Sequence, residues 1–442
     1  MAIQNFPTAL QPIIQQGFLE REFQEAIQSV LTYRSIARRE QFPNAVGETV
    51  TKTRPGLKAP VTTPITPSSN TNLDNGLTPS TWTVEQYTLS IAMYGDTIDL
   101  NTVTNRVGIV EQFLRNARTN GFQAIQSLDR LARAALFTAY MGGNSRVRVT
   151  LGAPATQISV DDIRGFTQVI SNGVMVSVSG AVTNQVLVGA TNYALTGAAA
   201  DITNVSTAPG GISGVLTFST SVSVSDGTAL QTVSAFLAGA GTAPFILRPN
   251  GRSNTSQIVG TDLLTMGSIL DGVAYLRANN VPTKDGMYNL YLDPISGRQL
   301  FADPDFKLLY QGATGENAVY RAGRVTEIGD TRIIPTTEAY IQTLGGVKVR
   351  RPILVGDEAL IEGDYEGMGK QDTASDNAEM SMVDDIVHVT REPLDRLQQI
   401  IAQSWYWIGG FVAPTDQTVN TTIIPTASAA YLKRAVAFEH AG

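Results

Sequence analysis

The chain has no cysteine. Disulfides, thiolate nucleophiles and cysteine-based metal sites are excluded, whereas the compartment is left open. Histidine is almost as scarce, with only His388 and His440. A serine–histidine–acid relay would have to use His388, and an ordinary strand histidine is the stronger reading of it. Charge is thin too, at 16% of residues against a usual ~25%. A net charge of −7 advertises no basic stripe for nucleic acid. No apolar run reaches the ~18 residues that would suggest a membrane span. The opening MAIQNFPTALQPIIQQ lacks the basic and apolar regions of a signal peptide. What the chain does have is length and apolar content: 442 residues, 43% of them hydrophobic, enough for a sizeable core and two or three domains. A large polar but uncharged surface suits contact with other protein.

Residues 12–39 read as an amphipathic helix, with Leu19, Phe23, Ala26, Ile27 and Val30 on one stripe. Pro43 and Gly47 end it. Residues 48–54 then alternate as a strand, Thr49, Thr51 and Thr53 against Val50, Lys52 and Arg54. A returning strand covers 81–91, with Tyr87, Leu89 and Ile91 on one face and a change of phase near Glu85 that suggests a bulge. Between them Pro55, Pro60, Pro64, Pro67 and Pro79 stiffen a reach that is improbable inside a compact domain unless another chain orders it. Residues 101–141 form one long helix, about 60 Å at ~1.5 Å per residue. Its apolar stripe runs from Val110 through Ile125 and Leu128 to Leu136, with Asp129, Arg130 and Arg133 elsewhere on the wheel. Gly142-Gly143-Asn144 stops it.

Composition shifts at 151–247, where the only charges are Asp161, Asp162, Arg164, Asp201 and Asp226. Short β-rich runs at 175–179, 185–188, 215–219, 222–225 and 245–247 are punctuated by Gly and Pro, which predicts a small all-β insert. An α+β block follows: a helix at 264–278, a strand at 288–292, a short helix at 296–301, strands at 332–335, 353–356 and 385–391, and a helix at 394–408. No repeat of fixed period is present.

No constellation points to catalysis. Asp384-Asp385 and Glu362-x-Asp364 have the oxygen donors a divalent cation favours but not the spacing of a binding loop, so turn carboxylates are the better reading. Gly210-Gly211-x-x-Gly214 lacks the lysine and following helix of a phosphate loop. Trp405, Tyr406 and Trp407 read as core or interface packing. Arg34, Arg38 and Arg39 beside Tyr33 read as ordinary salt-bridged surface.

The order of these elements resembles the major capsid proteins of tailed bacteriophages, the Hong Kong 97-type shell fold. Residues 12–39 correspond to its N-terminal arm, 46–91 to its extended E-loop and 101–141 to its spine helix. The helix at 264–278, Tyr291-Leu292-Asp293-Pro294, Gln299-Leu300-Phe301, Ile333-Ile334-Pro335-Thr336 and the strand and helix at 386–391 and 394–408 recur in that order. The resemblance covers roughly 10–150 and 260–412, and the β-rich insert is additional to the minimal fold.

It implies an α+β fold divided as 1–45 arm, 46–100 E-loop hairpin, 101–150 spine helix and start of the P-domain, 151–255 β insert, 256–380 A-domain, 381–414 return strand and helix, and 415–442 tail. It implies a structural protein without enzyme activity or cofactor. Such a subunit forms hexamers and pentamers of an icosahedral head around double-stranded DNA, and mild acidity suits a wall that does not adhere to its contents. The short stretch before the hairpin leaves no room for a fused scaffolding segment, so a separate scaffolding protein, a portal and a decoration protein are the implied partners. The virion, assembled in the bacterial cytoplasm, is the implied location. Inter-subunit contacts are expected at Lys52, Arg54, Lys58, Leu73, Leu77 and Trp82 of the loop and at Phe18, Phe23, Ile27, Arg34 and Arg38 of the arm. Some relatives join a loop lysine to a neighbour's asparagine; for Lys52 and Lys58 solvation or pairing with acids is the better reading. Alternatives are an encapsulin-like compartment and, from another class, a β-rich fibre or adhesin.

Overall fold

The computed structural model describes residues 32–43, 47–55, 61–62, 64, 84–101, 109–171, 174–208, 211–233, 246–252, 255, 258–306, 327–344, 346–365, 378–391, 400–414 and 434–442. Most of the expected arm helix, the tip of the hairpin and residues 415–433 lie outside them. The described residues form two compact units, one drawn from Met1–Thr51, Thr88–Ala135 and Leu360–Val412, the other from Lys52–Tyr87, Leu136–Ala359 and Ala413–Gly442. Strands predominate over helices in both.

The first unit is a six-stranded sheet backed by a long helix. Its axis is the strand Ile400–Val412, paired antiparallel with Ala92–Asn101, Ile386–Arg391 and Leu360–Tyr365. Ala378–Val383 extends one side antiparallel, and Ala37–Phe42 adds the other edge, parallel to Leu360–Tyr365. The helix Ile109–Met141 buries Ala117, Asn120, Ala124, Ile125, Leu128, Ala132 and Leu136, a three-and-four spacing that sets one stripe inward. Ala124, Ile125 and Leu128 pack with Ile386, Val387, Trp405 and Trp407.

Three expectations are corrected here. The helix expected at 394–408 is, from Ile400 on, a strand. Apolar residues at Ile401, Trp405 and Ile408 satisfy a helical period. The same stretch buries Gln403, Trp405, Trp407 and Gly409 in alternation, and its aromatic and β-branched residues favour the pleat. The arm helix does not reach 39: a single 3-10 turn at Arg34–Ile36 leads directly into the strand Ala37–Phe42. Asn101 closes the strand Ala92–Asn101 rather than opening the helix, which is described from Ile109.

The second unit holds two larger sheets. One is antiparallel throughout, in the order Asn144–Arg146, Ala229–Val233, Asn184–Val188, Thr191–Ala200, Gly214–Val222, Ala155–Val160. Its own core includes Ile158, Phe166, Val186, Leu195, Leu216 and Phe218. This is the predicted β-rich region, with its first strand upstream of 151. The runs at 215–219 and 222–225 are not separate strands: Gly214–Val222 is continuous.

The other sheet is mixed, in the order Ile246–Leu247, Ala435–Phe438, Ile353–Val355, Tyr288–Leu292, Thr331–Pro335, Glu327–Ile328. Helix Met266–Ala278 packs on it through Ile269, Val273 and Leu276, against Leu354, Val436 and Phe438. Thr265 caps that helix by accepting from the Ser268 N–H. Asp293-Pro294 ends Tyr288–Leu292 and at once opens Pro294–Ala302. Asp293 accepts from the N–H groups of Ile295 and Ser296, and Pro294 fills a position that needs no donor.

Candidate assembly elements

The hairpin is the first candidate. Thr49–Pro55 and Val84–Ser90 form a two-stranded sheet of their own, joined to no other described strand. At its base the Ile91 N–H donates to the Glu48 carbonyl at 3.0 Å. Tyr87 and Leu89, which alternation set on one face, are both buried. Leu89 lies so close to Gly363 that a β-carbon there would meet its Cδ2 at 2.9 Å. Lys52 is half-buried and Arg54 belongs to the first strand. Lys58, Leu73, Leu77 and Trp82 lie outside the described residues.

The second candidate is the root of the arm. Asp129, in the middle of the long helix, is fully buried rather than on the solvent side of the wheel. Its Oδ1 accepts the backbone N–H groups of Thr32, Tyr33 and Arg34 at 3.1, 2.6 and 3.1 Å, and its Oδ2 accepts the Thr32 hydroxyl at 3.0 Å. Burial raises the Asp129 pKa above the usual carboxylate value, while these hydrogen bonds pull against it. One turn on, Arg34 grips Glu362 in a fork, Nε at 3.0 Å and Nη2 at 2.6 Å from Oε1, with both side chains buried. Arg39 reaches Asp384 at 3.2 Å and Asp385 at 2.5 Å. Burial raises the Asp385 pKa and Arg39 opposes that rise.

Arg34, expected to face a neighbour, is thus engaged within its own chain, and the supposed surface cluster is partly core. Asp384 and Asp385 do form a turn, both with positive φ, but as partners of Arg34 and Arg39 rather than as solvated groups. Glu362 is a buried strand residue. Arg38 is exposed on Ala37–Phe42. Phe18, Phe23 and Ile27 lie outside the described residues.

The two histidines are both core residues. His388 is buried in Ile386–Arg391, and burial lowers its pKa to about 4. His440, read from sequence as part of a tail, sits in a buried strand with Nε2 2.8 Å from the Ser296 Oγ. Ser296 also donates to Asp293, which accepts from the Arg350 Nη1 at 2.5 Å. The acid touches the serine rather than the histidine, and all three side chains are buried, so these three do not form a serine–histidine–acid relay. The signal for this cluster was the capping pattern Asp293-Pro294-x-Ser296. Among the described residues no group of three or more histidine, aspartate and glutamate side chains is placed to hold a metal ion, and no helix is long and apolar enough to cross a membrane.

No family model matches the chain, and no curated protein matches it. Among solved structures it is similar to the capsid of the cyanophage P-SCSP1u, at 9% identity over 93% of this chain and 88% of that one, with a TM-score of 0.46. It is similar to the capsid of Ralstonia phage GP4, at 11% identity over 93% and 88%, with a TM-score of 0.47. The capsid asymmetric unit of cyanophage Pam1 also matches, at 10% identity over 90% and 86%, with a TM-score of 0.46.

Proposed function

We propose that this chain is the structural subunit of a tailed-bacteriophage head of the Hong Kong 97 type. It assembles as hexamers and pentamers into an icosahedral shell around double-stranded DNA. The observation that carries the reading is the hairpin. Its base is tied into the core through Glu48, Tyr87, Leu89 and Ile91, yet its two strands pair only with each other among the described strands. Strand edges left open in this way invite a partner, and the proline-spaced sequence between them suits a reach across an adjacent subunit. The 33-residue helix, about 50 Å long, serves as the stiff member of the subunit. Interfaces that are modest singly become strong when one subunit engages several neighbours.

On this reading 46–100 is the loop, 151–255 an insert on the minimal fold and 256–380 the axial domain. Lys52, Arg54, Lys58, Leu73, Leu77 and Trp82 make the loop contacts, and Phe18, Phe23, Ile27 and Arg38 the arm contacts. A scaffolding protein, a portal and a decoration protein complete the head, which is built in the bacterial cytoplasm. The chain works by contact, without catalysis or a cofactor.

Electron microscopy of the purified full chain, alone and co-expressed with a candidate scaffolding protein, tests this. Closed particles tens of nanometres across are expected. Monodisperse monomers at every concentration, with and without scaffold, would refute it. Deleting residues 60–78 should leave a folded subunit that no longer forms particles. If that variant melts as a broken core would, the hairpin tip packs within its own chain and the assignment fails.

A further inference from the structure

A polar cleft in the second unit is walled by residues from the antiparallel sheet, among them Arg146 and Asp161, and by Arg248, Thr255, Gln342 and Arg351. Its volume is about 80 Å³. At ~15 Å³ per water-sized position that is room for about five heavy atoms, far below the ~300 Å³ where drug-sized ligand pockets begin.

The charge around it is unusual for a closed core. The Arg351 side chain is 2% exposed. Its Nε donates to Glu439 at 2.8 Å and its Nη2 donates to Gln342, but its Nη1, also buried, has no hydrogen-bond partner among the described residues. Glu439 is itself shared, accepting from the Arg248 Nε on its other oxygen at 2.7 Å. A single carboxylate therefore serves two guanidiniums. Arg146 adds a third to the same walls, with Asp161 3.6 Å from its Nε. Burial lowers the pKa of Arg351, Glu439 raises it, and the nearby Arg248 and Arg146 lower it again. Like charges converging in a low-dielectric space cost energy unless an anion joins them, and guanidinium forks match the oxygens of a tetrahedral anion.

We propose that this cleft is a binding site for a small free oxyanion, inorganic phosphate being the chemistry it fits, held by the guanidiniums of Arg351, Arg146 and Arg248 that line it. A five-heavy-atom anion fills the space, whereas a nucleic-acid backbone does not enter it. The site is independent of the shell reading and stands or falls separately from it.

The test is phosphorus NMR of inorganic phosphate titrated with the full chain at constant ionic strength set by chloride. Binding broadens the phosphate line, and the same phosphate concentrations raise the melting temperature above that in chloride. Arg351→Lys removes the most buried of these forks and should weaken binding about tenfold or more, the worth of one charge-assisted hydrogen bond. Should that variant fail to fold by circular dichroism, Arg146→Gln, at a position whose side chain is 20% exposed, decides the matter with the same expected loss. Arg277→Gln, on an exposed pair with Asp330, should bind phosphate as the unaltered chain does. An unbroadened line with the unaltered chain overturns the proposal. So does loss of binding in Arg277→Gln equal to that in Arg146→Gln.

Discussion

Replacing Asp129 by alanine should free residues 32–36 from the long helix. Its carboxylate accepts three backbone N–H groups and one hydroxyl, and the N–H groups of Tyr33 and Arg34 are buried there. Each buried donor left without an acceptor costs ~1–3 kcal/mol. Alanine returns up to ~0.7 kcal/mol of helix propensity. The net loss is therefore about 1–5 kcal/mol. Asparagine keeps one oxygen for the N–H groups and removes the cost of burying a charge, so Asp129→Asn should lose only about 1 kcal/mol.

The pH dependence separates the two effects. Burial raises the folded-state pKa of Asp129 above the ordinary carboxylate value of 3.8. Protonation therefore favours the folded chain, and stability from this group grows as pH falls through the raised pKa toward 3.8. Asp129→Asn lacks that gain. Amide hydrogen exchange at Tyr33 and Arg34 reports the anchor directly, and denaturant unfolding gives its magnitude. If Asp129→Ala leaves protection at both amides unchanged, or if asparagine costs as much as alanine, the anchoring argument is wrong.

Arg34→Leu strands Glu362 as a buried, unpaired charge and should cost about 3–5 kcal/mol in urea unfolding, with most of it recovered in the double variant Arg34→Leu/Glu362→Leu. His388 has a folded pKa of about 4 against 6.5 unfolded, so its contribution is complete above pH 6.5 and is lost as pH falls to about 4. Relative to His388→Gln, that loss should approach ~3 kcal/mol over this window, measured by melting at a series of pH values. Gly410→Ala drives a β-carbon into the Ser90 carbonyl oxygen and should lower stability by ~1–3 kcal/mol. Gly152→Ala meets nothing within 4 Å and should stay within ~0.5 kcal/mol in the same thermal assay.

Elements bounded by local stops were legible in the sequence. Tyr288–Leu292 ends at Asp293-Pro294, and Met266–Ala278 carries its own cap and apolar stripe, so both emerge from nearby residues alone. The long helix and the two strands of the hairpin were legible from period. What failed depended on distant partners. Ala37–Phe42 reads ARREQF, a polar and helix-prone stretch that becomes a strand by pairing with Leu360–Tyr365. Ile400–Val412 satisfies two periods, and the sheet decides between them by supplying Ala92–Asn101 on one side and Ile386–Arg391 on another. Asp129 reads as an outward carboxylate because its donors lie 95 to 97 residues earlier. The oxyanion cleft draws Arg146, Arg248 and Arg351 from three separate stretches, which no local pattern connects.

The place of Ala435–Phe438 in its sheet has a consequence for the timing of synthesis. It lies between Ile246–Leu247 and Ile353–Val355, hydrogen-bonded to both. Until residue 438 has left the ribosome, that layer stays split, with Val436 and Phe438 missing from the cluster they share with Ile269 and Leu354. This layer therefore cannot close on the residues that precede Ala435, however long they wait for it.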